Sequence, residues 1–175
     1  MTRRVGLLIL ALSLALSFAA CDDAEPVLFE EPTADLTATP APEAAELLPI
    51  TDIEAVSGLS GLAVAPYDPD TGAHGDLNVV DADGALVLVL IVEGPEAWDQ
   101  WLTDGFTVRE PVSPAVGEES FIGPNPDVSE GVYIFGFRQD GVSVLLETFD
   151  DPGGNGAVLS TEHLRTLAEM VSSRL

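Results

Sequence analysis

Residues 77–92 read LNVVDADGALVLVLIV, and residues 132–149 read VYIFGFRQDGVSVLLETF. Each stretch is a pair of apolar runs around a polar interruption. Leu77 to Val80 and Ala85 to Val92 flank Asp81-Ala82-Asp83-Gly84, while Val132 to Phe137 and Val142 to Phe149 flank Gln139-Asp140-Gly141. Asp-Gly supplies the positive φ that a tight hairpin requires, so both stretches predict antiparallel hairpins.

The segments after the two hairpins are also alike. Gly94-Pro95 opens a helix with proline at its first position, Trp98, Trp101 and Leu102 fall on one face of it, and Gly105 closes it. After the second hairpin comes the loop DDPGGNG, and then Ser160 caps a helix on which Leu164, Leu167, Ala168, Val171 and Leu175 form one stripe. Outside these repeats, Thr51-Asp52-Ile53-Glu54 has capping-box spacing before a short helix stopped by Gly58, and Leu62 to Ala65 reads as a first strand. Phe106 to Arg109 and Ser120 to Ile122 read as further strands or linkers of the same sheet. The expected fold is α+β: a mostly antiparallel sheet with two helices on one face, built from two hairpin-helix (ββα) halves in a single domain over residues 50–175.

Charge narrows the partners. The 175-residue chain holds 30 Asp and Glu against six Arg and no Lys, a formal charge of −24. Such a surface repels phosphate backbones and anionic headgroups, which disfavours nucleic-acid binding and attachment through a basic patch. The single cysteine, Cys21, excludes an internal disulfide and is either a free thiol or an attachment point.

The N-terminus favours attachment. Residues 1–20 carry Arg3 and Arg4 and then the chargeless run VGLLILALSLALSFAA, the layout of a secretory signal. As a helix that run spans roughly 24 Å at about 1.5 Å per residue, short of the ~30 Å hydrocarbon core. Phe18-Ala19-Ala20-Cys21 resembles the bacterial lipobox, although Phe18 stands where an aliphatic residue is usual. That resemblance implies a diacylglyceryl group on Cys21 as the mature N-terminus, holding the protein to the outer side of the cell membrane with two acyl chains where one would bind only marginally. Residues 21–49 then combine the lipidated Cys21 with an acidic, Pro/Ala-rich disordered tether.

A second resemblance lies further on. The segment VGEESFIG (Val116 to Gly123), the hairpin with Asp140-Gly141 and the terminal LSTEHLRTLAEMVSSRL (Leu159 to Leu175) resemble the C-terminal half of small actinobacterial lipoproteins and of sensor domains outside some receptor serine/threonine kinases. The disulfides common in those proteins are missing from this sequence. The resemblance implies a domain in the cell envelope that binds a small ligand or an envelope protein, and it carries over no functional residue.

Candidate chemistry is sparse. Asp68, Asp70 and Asp76 surround glycines in DPDTGAHGD in a way that can fold oxygens about a Ca²⁺ ion, without the twelfth-position Glu of an EF-hand loop. The same acids serve equally well as turn formers. His74 lies inside that loop, and His163 falls in the first turn of the last helix, as a cap or an exposed residue. Glu118 and Glu119 are adjacent carboxylates that a strand would point to opposite faces. Trp98 and Trp101 have the spacing of core or rim packing as well as of a stacking platform. No G-x-S-x-G elbow occurs, and the sequence predicts no catalytic residues and no bound cofactor. The expectation is a lipid-anchored, extracytoplasmic binding or sensing module that is not an enzyme. Calcium-dependent adhesion, a structural envelope role and a hydrolase are the alternatives.

Overall fold

The computed structural model describes residues 43–68, 70, 73–105, 108–124, 132–150 and 156–175. The expected leader, Cys21 and most of the expected tether lie outside these residues. Within them the chain runs α1 (Ala44–Leu47), α2 (Ile50–Ser57), β1 (Ala63–Ala65), β2 (Leu77–Val80), β3 (Leu86–Glu93), α3 (Pro95–Gln100), β4 (Glu110–Pro111), β5 (Glu119–Pro124), β6 (Tyr133–Gln139), β7 (Val142–Thr148) and α4 (Thr161–Ser172). The strands form one open sheet in the order β1-β2-β3-β7-β6-β5-β4, with every neighbouring pair antiparallel. The fold class is α+β, as the sequence predicts.

Both hairpins form, each through the chemistry of its turn. Between β2 and β3 the Asp81 carboxylate accepts from the amides of Asp83 and Ala85 at 2.9 Å, and Gly84 takes φ +83°. Between β6 and β7, Asp140 and Gly141 both lie at positive φ (52° and 77°), the conformation that matches strand twist in a two-residue hairpin loop. The hairpins then meet along β3 and β7, with Ile91 opposite Leu145 and Leu90 opposite Leu146.

Alternation along these strands creates two buried faces. Leu88 and Leu90 of β3, Val144 and Leu146 of β7, and Phe135 and Phe137 of β6 join Leu47, Ile53, Leu164, Leu167 and Val171 in one core. The intervening residues Ile91, Leu145 and Ile134, together with Phe121 of β5, meet Trp98, Trp101 and Leu102 in a second. Because successive strand side chains point to opposite sides, the two cores lie on opposite faces of the sheet. Helices α1, α2 and α4 therefore share one face, whereas α3 covers the other. This corrects the expectation of both hairpin-following helices on one face. The apolar stripes of α3 and α4 show only that each helix is covered, and strand parity decides where. A two-fold axis normal to the sheet would exchange β3 with β7 and leave both helices on one side, so no such symmetry relates the halves.

Three further departures have local causes. The expected tether extends to Pro49, yet Leu47 and Leu48 are fully buried and the Arg174 guanidinium donates to the Leu47 carbonyl at 2.6 Å, so the folded domain includes this stretch. Thr51 is not a cap, because α2 already begins at Ile50 after an extended Pro49. Glu54 reaches forward instead, accepting from the amides of Gly61 at 2.8 Å and Leu62 at 3.2 Å, and Gly58 ends the helix at φ +74°. Beyond Gln100, α3 continues in a π-helical turn, Trp101–Gly105.

Candidate functional site

The α3 face of the sheet holds a group of interlocked polar and aromatic side chains. Its foundation is a cross-strand row set by register: Glu119 opposite Arg138, Arg138 opposite Ser143, and Ser143 opposite Glu93. One step along, Phe121 lies over Gly136, where an added Cβ would come within 2.5 Å of the ring. The missing side chain is what lets Phe121 lie flat against the sheet. Trp98, only 3% exposed, packs on Phe121 with ring centroids 5.4 Å apart, donates its indole N–H to Glu119 Oε2 at 3.2 Å, and sits under the Arg138 guanidinium at 5.9 Å. Arg138 Nη2 in turn lies 3.2 Å from Glu119 Oε1. One tryptophan is thus fixed by a tilted aromatic contact, a hydrogen bond and a cation, and cannot rotate without breaking all three.

Glu118 and Glu119 do not separate as a strand would dictate. Gly117 turns the chain at φ +63° and Glu118 precedes β5, so Glu118 Oε2 comes within 3.9 Å of Arg138 Nε, and Oε1 accepts from the Asp140 amide at 3.2 Å. Arg138 therefore serves both carboxylates, which remain more than half exposed.

Beside this group opens a cleft of about 360 Å³. Trp98, Leu102, Phe121 and Pro111 give it apolar walls, Glu118 and Glu119 supply negative charge, and Arg109 supplies positive charge. The tryptophan spacing in the sequence marks part of it. Arg138, Phe121 and Arg109 carry no sequence signal, since only the pairing of β5 with β6 and of β4 with β5 brings them to Trp98.

The second polar feature of this face is a buried carboxylate. Glu147, 7% exposed, has its Oε2 3.1 Å from His74 Nε2. The loop carrying His74 is fastened close by, because the Gly75 amide donates to the Asn78 side chain at 2.9 Å and Asn78 Nδ2 donates back to the Gly75 carbonyl at 3.0 Å. His74 has acids as neighbours in its own loop, but the acid it pairs with stands on β7, far along the chain.

Two of the three candidate calcium ligands, Asp68 and Asp76, have separate tasks. Asp68 Oδ1 accepts from the Asp70 amide at 3.2 Å in a local turn, whereas Asp76 Oδ2 accepts from the Val92 amide at 2.7 Å and extends the β2–β3 ladder by one bond. Among the described residues no three His, Cys, Asp or Glu side chains gather in a group that could hold a metal ion. His163 caps its own helix: its amide donates to Ser160 Oγ at 3.2 Å, and the Ser160 amide donates to His163 Nδ1 at 3.4 Å. Cys21 lies outside the described residues.

No protein-family model matches the chain, and no curated protein is significantly similar to it.

Proposed function

We propose that this protein is a lipoprotein anchored through Cys21 at the outer face of the cell membrane, and that its α+β domain binds a small ligand or an envelope partner in the Trp98 cleft. The observation that carries the binding half of this reading is the pre-ordered cleft wall. A wall already held in place by packing and hydrogen bonds costs little ordering entropy when a ligand enters beside it. A lining that combines carboxylates, an arginine and apolar side chains suits a solute carrying an anion, a cation and an apolar group, such as an amino acid or short peptide. The anchoring half rests on the apolar leader and the small residues before Cys21.

Two measurements test the two halves. Intact mass of protein purified from host membranes should show a chain beginning at Cys21 with a diacylglyceryl increment, lost in Cys21→Ser. An unlipidated mass would end the anchoring half. Titration with aromatic amino acids and dipeptides should change tryptophan fluorescence saturably, and Arg109→Ala should weaken the response by about tenfold, equivalent to ~1.4 kcal/mol. A flat titration across that panel would remove this ligand class and leave a structural envelope role in its place.

A further inference from the structure

Three stretches of the chain, residues 65–76, 80–86 and 149–150, hold six aspartates, one histidine and no arginine. Two of these aspartates stand at the base of separate loops and are fixed there by backbone pairing. Asp68 and Ala73 exchange both of their amide hydrogen bonds, at 2.7 and 3.0 Å, and Asp150 forms a bridge with Ala157. Asp68 and Asp150 both belong to the wall of a cavity of about 510 Å³, which shares no residue with the Trp98 cleft.

The floor of this cavity is apolar. Val80 lies opposite Leu86 in the β2–β3 pair, and because Val79 belongs to the helix-side core, its neighbour Val80 faces the α3 side. Ala65 and Phe149 extend the same floor. A space of this size falls within the range of roughly 300–1,000 Å³ that small-molecule sites occupy. The charge around it has one sign. His74, the one histidine of these stretches, is paired with Glu147, and Asp68 keeps its charge and a second oxygen while Oδ1 accepts from the Asp70 amide. A bare metal ion is a poor match, since calcium takes roughly six to eight oxygen ligands and among the described residues no three His, Cys, Asp or Glu side chains gather. An apolar floor under carboxylates matches a cation that is itself largely apolar.

We propose that this cavity binds a small organic amine, with its apolar body on Val80, Leu86 and Phe149 and its ammonium group at the Asp150 and Asp68 wall. Burial of the apolar body supplies the affinity, and the carboxylates set its orientation and reject anions of the same shape. The field of a chain with a formal charge of −24 draws such a cation in and repels its carboxylate counterpart. This site is separate from the Trp98 cleft and stands whether or not Cys21 is lipidated.

The test is a nuclear magnetic resonance titration of the whole isotope-labelled protein with ethylamine, butylamine and hexylamine, and with hexanoate as the anionic control. Hexylamine should bind saturably and shift the amides of Val80, Leu86 and Phe149, affinity should rise about threefold for each added methylene, and hexanoate should not bind. Asp150→Asn is expected to weaken hexylamine binding by about tenfold (~1.4 kcal/mol), and Ala65→Phe, which fills the cavity and leaves its charge alone, by a similar factor. Equal affinity for the three amines would mean diffuse attraction to an acidic surface and would overturn the proposal, as would the absence of saturable binding. An equal loss in Asp83→Asn, whose carboxylate lies in the β2–β3 turn outside the cavity lining, would overturn it as well. So would shifts centred on Trp98 and Phe121, since the amine would then occupy the other cleft. The chain-length series and the shift map are read on the unaltered protein, so they decide the matter even if a variant folds poorly.

Discussion

Gly136 is the residue on which the Trp98 cleft depends most directly. An added methyl group would meet Cε1 and Cζ of Phe121 at 2.5 Å and lift the ring that Trp98 packs against. Gly136→Ala is expected to destabilise the domain by about 1–3 kcal/mol, the usual range for overpacking. Urea denaturation would measure that loss, and the near-ultraviolet circular dichroism of tryptophan should change with it. Glu119→Gln should behave differently, because an amide oxygen still accepts from the indole and only the exposed ion pair with Arg138 is lost. The expected cost is below about 1 kcal/mol and shrinks with added salt. His74→Ala leaves the buried Glu147 without this partner and should cost about 1–3 kcal/mol; a double-mutant cycle with Glu147→Gln, read by denaturation, should show the two residues coupled. The local parts of these arrangements are legible in the sequence: the tryptophan spacing, the Ser160 cap and the Asp-Gly turns. Contacts such as His74 with Glu147 are hidden there, because they arise from register between strands far apart in the chain.

At the scale of elements, short-range patterns are legible and relative placement is not. Hairpins announce themselves through turn chemistry within a few residues, and amphipathic helices through their own periodicity. Neither pattern records which face of the sheet a helix will meet, and so α3 falls on the unexpected side. The same limit hides α1. Proline and acid dominate residues 22–49 and signal a tether, yet Leu47-Leu48 at its end fills a gap that only the assembled helices create. Leu47→Ala and Leu48→Ala are each expected to cost about 2–5 kcal/mol, as in other buried leucines. A chain starting at Ile50 should accordingly melt well below one starting at Glu43, and differential scanning calorimetry would register the gap. Equal melting temperatures would show that α1 is not integral to the domain.

For the molecule as a whole, charge is the dominant variable. In the described residues Arg138, Arg165 and Arg174 each lie within ion-pair distance of an acid, so these cations are committed locally, and 30 acids against six arginines leave a large net negative charge. Self-repulsion of this size weakens the folded state at low ionic strength, and the Debye length falls from about 30 Å at 0.01 M to about 10 Å at 0.1 M. Over that interval the melting temperature is expected to rise, with sodium and potassium chloride acting alike. A rise produced only by millimolar Ca²⁺ would instead indicate a specific divalent site.

The clamp at the start of the domain also has a mechanical side. Arg174 bonds both the Leu47 carbonyl and Asp52, so the last turns of the chain hold the first ones. Tension arriving from upstream of Glu43 enters through α1, a helix of four residues with no side-chain cap. It would pull first on a few hydrogen bonds and two buried leucines, and reach the ladder between β3 and β7 only after those had given way. The first element to yield under load would thus be α1, while the sheet and the Trp98 cleft stay intact.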